Sequence, residues 1–139
     1  MTDINFTDNS QLFIDELNRR MPIILEAVGI EAAGNAMTEI NNLVYDTPES
    51  PTYVRTGRLK NSIAWATSKR HASVGVPDRP EDSTPHTTPE ENSVYIGTNV
   101  EYAPYVEFGT YRMPSRPFLR NAIEKYKDDY KKIMEEGLK

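Results

Sequence analysis

Apolar residues first recur at helical spacing at Leu12, Phe13, Leu17 and Met21, after a mostly polar stretch that predicts a flexible N-terminus over 1–9. Ser10 stands where a helix cap is expected. A proline disfavours helical backbone at the residue before it, so Pro22 predicts a kink or break, with a second helix running from Pro22 to about Tyr45. The apolar stripe of that helix is Ile24, Leu25, Val28, Ala32, Ala36, Ile40 and Leu43. Its small residues Gly29, Ala32, Ala33, Gly34 and Ala36 predict close approach of another backbone, because Gly29 and Gly34 each cost about 1 kcal/mol of helix propensity that packing must offset. After a loop rich in Pro, Ser and Thr over 46–53, the period changes to two. Strands are predicted around Ile63, Trp65 and Thr67, from His71 to Val76, and from Ser93 to Thr98. Between the last two, residues 77–92 hold four prolines, five acids and no large apolar residue, which predicts a flexible acidic loop. A final helix is predicted from Ser115 or Arg116 to Glu136, with Leu119, Ala122, Ile123, Tyr126, Tyr130, Ile133 and Met134 on its apolar face. This order predicts a single α+β domain over 1–139: N-terminal helices and a C-terminal helix packed on a small, mainly antiparallel β-sheet with a long inter-strand loop.

The densest information lies in Tyr102–Leu119, YAPYVEFGTYRMPSRPFL, where aromatics, prolines and one glycine stand in fixed order. Pro104 suits the first turn of a short helix, where its missing N–H costs nothing, and Gly109 suits the positive φ that closes one. Tyr105, Val106 and Phe108 are expected to turn inward. Pro114 and Pro117 are expected to steer the chain into a second helix beginning near Phe118.

Taken with Thr110 and Arg116, this block, Y-A-x-Y-V-E-F-G-T followed by P-x-R-P-F-L-x-x-A, resembles the HK97 gp10-like family of tailed-bacteriophage proteins. Tyr102, Ala103, Glu107 and Leu119 belong to the same motif. Upstream, Thr56, Gly57, Leu59 and Ser62 in TGRLKNSI are similar to the family's TG-x-L-(R/K)-x-S-(I/L) lead-in to the sheet. The resemblance is carried mainly by 56–122. It implies a structural virion protein that completes the tail and joins it to the head, as a ring commonly described as a hexamer at the head-proximal end. The implied partners are further copies of the chain, head-completion or connector proteins, and tail tube or terminator proteins, with DNA passing nearby. The implied location is the virion, reached from the host cytoplasm. Within that class the alternatives are a tail terminator or minor capsid component; outside it, a small cytosolic adaptor or enzyme accessory domain.

The net charge of −5 is unevenly spread: −7 over 1–50, +5 over 51–76, −4 over 77–92, −2 over 93–110 and +3 over 111–139. Such blocks can complement each other within one fold or across a head-to-tail contact. An acidic chain is a poor ligand for phosphate backbones, so DNA is not expected to be gripped. The 37% hydrophobic share fits a small core completed by solvated helices or by neighbours. No apolar run approaches the roughly 18 residues that cross a bilayer. With no cysteine there is neither a disulfide nor a thiolate site.

Catalytic, metal and cofactor readings find little support. His71 and His86 are the only histidines and lie fifteen residues apart. Glu101 and Glu107 flank the short helix without a nucleophile or orienting partner, and Gly57 and Gly97 belong to no phosphate-binding fingerprint. Arg112, Arg116 and Arg120 around the proline-rich turn are expected either to pair with acids of the same fold or to hold an acidic patch of a neighbour, and Glu81, Asp82, Glu90 and Glu91 in the acidic loop are the matching interface candidates. The aromatics Tyr102, Tyr105, Phe108, Tyr111 and Phe118 read first as core.

Overall fold

The computed structural model describes residues 10–45 and 57–139, with the side chains of 44 and 45 excepted. Thr56, the 46–53 loop and the 1–9 segment lie outside the described residues. The element order is α1 (Ser10–Ile40) closing in a π-helical turn (Asn41–Tyr45), α2 (Arg58–Asn61), β1 (Ala64–Thr67), β2 (His71–Ser73), a 3₁₀ turn (Pro80–Asp82), β3 (Val94–Gly97), α3 (Ala103–Phe108), α4 (Phe118–Glu124) and α5 (Lys127–Gly137). The fold is α+β, as the hydrophobic pattern predicts.

One long helix replaces the predicted pair at the N-terminus, because α1 runs through Pro22 without ending. The proline removes the hydrogen bond to the Asn18 carbonyl, but Asn18 is exposed and water can take that acceptor. Local pairs support the turns before it: Gln11 to Asp15 at 2.9 Å, and Arg19 and Arg20 to Glu16 at 2.6 and 2.7 Å. Burial begins just beyond, at Ile24 and Leu25, and continues through Val28, Ala32, Ala33, Ala36 and Ile40. Leu12 and Phe13, on the predicted stripe, are exposed.

The sheet is antiparallel with β1 at its centre, in the order β2-β1-β3. Trp65 stands opposite Ala72 on one side and Ile96 on the other. All four residues of β1 are buried, so both faces of this central strand are covered. β2 is shorter than predicted, and Val74 and Val76 are exposed beyond it. Helix α1 crosses this sheet at Gly29, where a Cβ would lie 2.9 Å from Val94 Cγ2 and 3.0 Å from Trp65 Cβ. The predicted close approach therefore occurs at Gly29. At Gly34 a Cβ would meet nothing within 4 Å. Gly34→Ala is accordingly expected to raise stability by about 1 kcal/mol through helix propensity, whereas Gly29→Ala lowers it despite the same gain. Chemical denaturation of the two variants reads this difference in sign.

The predicted C-terminal helix is two helices, broken at Lys125–Tyr126. Successive helical residues point about 100° apart. Here Lys125 Nζ and Tyr126 Oη both reach Glu39 Oε1, at 2.8 and 3.1 Å, which the regular helix does not allow, and Tyr126 leaves helical backbone with φ −115° and ψ 20°. Beyond the break α5 lies against α1, with Asn35 donating to Tyr130 Oη at 3.0 Å and Gly137 against Ile24. Ile123 and Met134, predicted on the apolar face, are exposed.

Glu39 is 1% exposed on the core side of α1. Burial opposes its charged form, but hydrogen bonds from Lys125 and Tyr126, the Lys125 charge and Asn121 outweigh that, and the carboxyl titrates below its ordinary value of 4.5. A folded-state value below the unfolded one gives stability that is present above about pH 4.5 and fades as pH falls through the folded value. The urea-midpoint gap between the wild type and Glu39→Gln is thus expected to be widest near pH 7 and to narrow below pH 4.

Candidate functional site

The two sequence blocks meet in one core. Leu59 and Ile63 from the upstream block and Val100, Ala103, Val106 and Phe118 from the downstream block pack in a single cluster with Ala33, Ala36, Ile40, Trp65 and Ala122. Gly57 takes φ +81° and leads into the single turn of α2. Ser62 is buried, with its Oγ 2.6 Å from both the Leu59 carbonyl and Thr98 Oγ1. Hydroxyls and glycine in this block thus set the chain's path between the core and β1.

Arg58, the variable position of the upstream block, organises its surroundings. Its guanidinium donates from Nε and Nη2 to Asp82 Oδ2 and Oδ1 at 3.0 Å each, and from Nη1 and Nη2 to Glu101 Oε1 and Oε2 at 2.9 Å each. It also lies 5.8 Å from the centre of the half-buried Tyr102 ring. Hydrogen bonds from Arg58, then from backbone, bring the exposed Glu101 carboxyl down to about 2. Asp82, expected at an interface, is 2% exposed and belongs to this interior network. It also anchors the acidic loop: Asn99 N donates to the Asp82 carbonyl at 2.9 Å, and Ser83 Oγ to the Ser62 carbonyl at 2.9 Å. Pro89 is buried as well. The loop therefore has the anchors that the hydrophobic pattern lacks, in a carboxylate and a proline. Glu81, Glu90 and Glu91 remain exposed.

The downstream block begins as predicted, with Pro104 in the first turn of α3 and Gly109 at its end with φ 79° and ψ 173°. Its orientation differs from the expectation. Ala103, Val106 and Glu107 turn inward, spaced three and four apart, while Tyr105 and Phe108 on the opposite face are 58% and 80% exposed. The inward Glu107 accepts from Leu119 N at 2.9 Å and Arg120 N at 3.0 Å, satisfying two of the orphan amides at the start of α4. Arg116 N donates to the Val106 carbonyl at 2.7 Å and Ser115 Oγ to the Glu107 carbonyl at 2.6 Å. Between these ties, Thr110 and Met113 exchange backbone hydrogen bonds at 2.8 and 3.2 Å and form a tight turn. Tyr111 and Arg112 sit at its tip, Tyr111 91% exposed with the Arg112 guanidinium 5.2 Å from its ring centre. Pro114 is exposed, Pro117 and Leu119 are half-buried, and α4 starts at Phe118 as predicted.

Glu107→Ala is expected to cost about 1–2 kcal/mol, in line with loss of a helix N-cap. Glu107→Gln retains one acceptor and should cost roughly half as much. Thermal unfolding of the pair checks the ordering, and equal stability of all three proteins would refute the capping role.

Helix α3 and the turn that follows it thus present Tyr105, Phe108, Tyr111 and Arg112 outward, and the exposed Arg120 follows at the start of α4. Tyrosine, phenylalanine and arginine are the side chains enriched at protein interfaces. Neither Glu101 nor Glu107 is positioned as an acid/base pair: one is clamped by Arg58 and the other accepts two backbone amides. Among the described residues, no cluster of His, Asp and Glu is placed to hold a metal ion.

Residues 10–109 match the HK97-gp10-like family, described as "Bacteriophage HK97-gp10, putative tail-component". The chain belongs to the HK97-gp10-like family. The match takes in the long helix α1, which the sequence motifs leave to pattern alone, and stops at Gly109, short of the PSRPFL segment. No curated protein and no solved structure matches the chain significantly. Membership in the HK97-gp10-like family makes this a phage tail-component sequence, and among the described residues no helix is long and apolar enough to cross a membrane.

Signals for the residues missed by sequence reading are uneven. Arg58 sits within the basic 51–76 block that has no acid of its own, so its partners had to come from elsewhere. The spacing of Ala103, Val106 and Glu107 was visible, but a glutamate on an inward face is not what a hydrophobic pattern selects.

Proposed function

We propose that this HK97-gp10-like protein completes the tail and joins it to the head, assembling as a ring at the head-proximal end of the tail. Binding is the whole mechanism: the subunits recognise one another and the proteins above and below, and DNA passes through the centre without specific contacts. Family membership supplies the tail, and the observation that carries the joining role is the signature turn. Its aromatic residues face solvent on a frame fixed by Gly109, Glu107 and the Arg116–Val106 hydrogen bond, which is the preorganisation a docking surface needs. Its partners are further copies of the chain, connector or head-completion proteins, and tube or terminator proteins.

The test is light scattering of the purified protein across concentration, alone and with tail tubes, followed by negative-stain imaging. A ring, or a cap at one tube end, is the expected result. A protein that stays monomeric and leaves tubes bare overturns the joining role and favours an adaptor of another class.

A further inference from the structure

We propose that the contact between subunits is head-to-tail, with the signature-turn surface of one copy receiving the acidic loop of the next; this rests on the ring reading above. The two surfaces are complementary in charge. Residues 108–123 contain Arg112, Arg116 and Arg120 and no acid, whereas 77–92 carry five acids against the single Arg79. With Asp82 turned inside, the loop still presents Asp78, Glu81, Glu90 and Glu91 to solvent. Among the described residues none of these four carboxylates forms an ion pair, and neither does Arg112 or Arg120.

The loop is also built to dock. Four prolines restrict its backbone, and its middle is fastened by the Asp82–Arg58 pair, the Asn99 and Ser83 hydrogen bonds and the buried Pro89. A tethered, proline-stiffened loop loses little freedom on binding. The receiving surface offers Tyr105, Phe108 and Tyr111 as apolar anchors beside the arginines, the combination from which interface hot spots are made. Because the two patches differ, each copy uses one toward each neighbour, and repetition of such a contact closes a ring when the rotation allows it.

Charge reversal with mixing tests this. One variant carries Arg112→Glu and Arg120→Glu, making both of its surfaces acidic; another carries Glu81→Lys, Glu90→Lys and Glu91→Lys, making both basic. Each alone is expected to raise the concentration needed for assembly, in solution or on tail tubes, about tenfold or more. An equal mixture should recover assembly, because alternating copies restore opposite charges at every contact. Tyr111→Ser with Phe108→Ser should weaken assembly without rescue by either charge variant. All substituted side chains are exposed, and thermal unfolding checks that each variant folds. If the wild type assembles and the reversed variants assemble equally well, the inference fails while the ring stands. If they lose assembly and the mixture does not recover it, the surfaces face something other than each other and the inference also fails. A wild type that never assembles, alone or on tubes, removes the ring reading and this contact together.

Discussion

Replacing Arg58 with methionine is expected to lower the unfolding free energy by about 3–5 kcal/mol, the range seen when one partner of a buried ion pair is removed. Methionine keeps most of the apolar stem but supplies no donors, and Asp82 is left 2% exposed without the fork that satisfies both of its oxygens at 3.0 Å. The damage spreads through the backbone, since the Asp82 carbonyl accepts from Asn99 at the exit of β3 and Ser83 is tied to Ser62. Arg58→Lys should fall between, because one ammonium cannot fork two carboxylates. Adding Asp82→Leu to Arg58→Met should return much of the loss, since the unpaired buried carboxylate is then gone. Denaturant unfolding of the single and double variants measures the coupling directly. A loss below about 1 kcal/mol in Arg58→Met would show that the loop does not depend on this pair.

Gly109→Val is the second large effect, with an expected loss of about 3 kcal/mol or more and a fall in Tm on the order of 10 °C. At φ 79° and ψ 173° the backbone occupies a region open essentially to glycine alone. Space compounds the strain: a Cβ at this position would lie 2.7 Å from Ser115 N and 2.9 Å from the Met113 carbonyl oxygen, both backbone atoms that cannot swing aside. Gly109→Ala meets the same two obstacles and should lose most of the same stability, which separates this explanation from one based on β-branching. Calorimetry on both variants decides it; unchanged Tm in either would refute the strained turn.

What the sequence made legible were the features set by local backbone chemistry. Pro104 opens α3, Gly109 closes it with positive φ and Phe118 begins α4, because proline and glycine act on their own residue and need no knowledge of the surroundings. The three strands were likewise readable from alternation and turn residues, to within two or three residues at their ends. Reading failed where a distant group decides. Pro22 carries a helix-breaking signal, but solvent at Asn18 and burial from Ile24 onward keep α1 whole. The C-terminal period is continuous in sequence, but it opens where Lys125 and Tyr126 both bond Glu39, 86 and 87 residues upstream. Polar groups that turn inward, Glu39, Asp82 and Glu107, are invisible to a hydrophobic pattern, since each is buried only because a partner from another element satisfies it. The outward aromatics follow from the same blindness: the pattern assigns Tyr105 and Phe108 to the core because it cannot see that Glu107 already holds the inward place.

Fastening both sides of the signature turn has an evolutionary consequence. The frame consists of Val106, Glu107 and Gly109 on one side and Ser115, Arg116 and the first amides of α4 on the other, and none of it depends on which side chains stand at 111 and 112. Exchanging the exposed side chains at the tip breaks none of these backbone ties. Changes at the tip therefore leave the fold's stability almost untouched while rewriting what the surface can recognise. Selection can retune the tip for a new assembly partner without first having to rescue the protein that carries it.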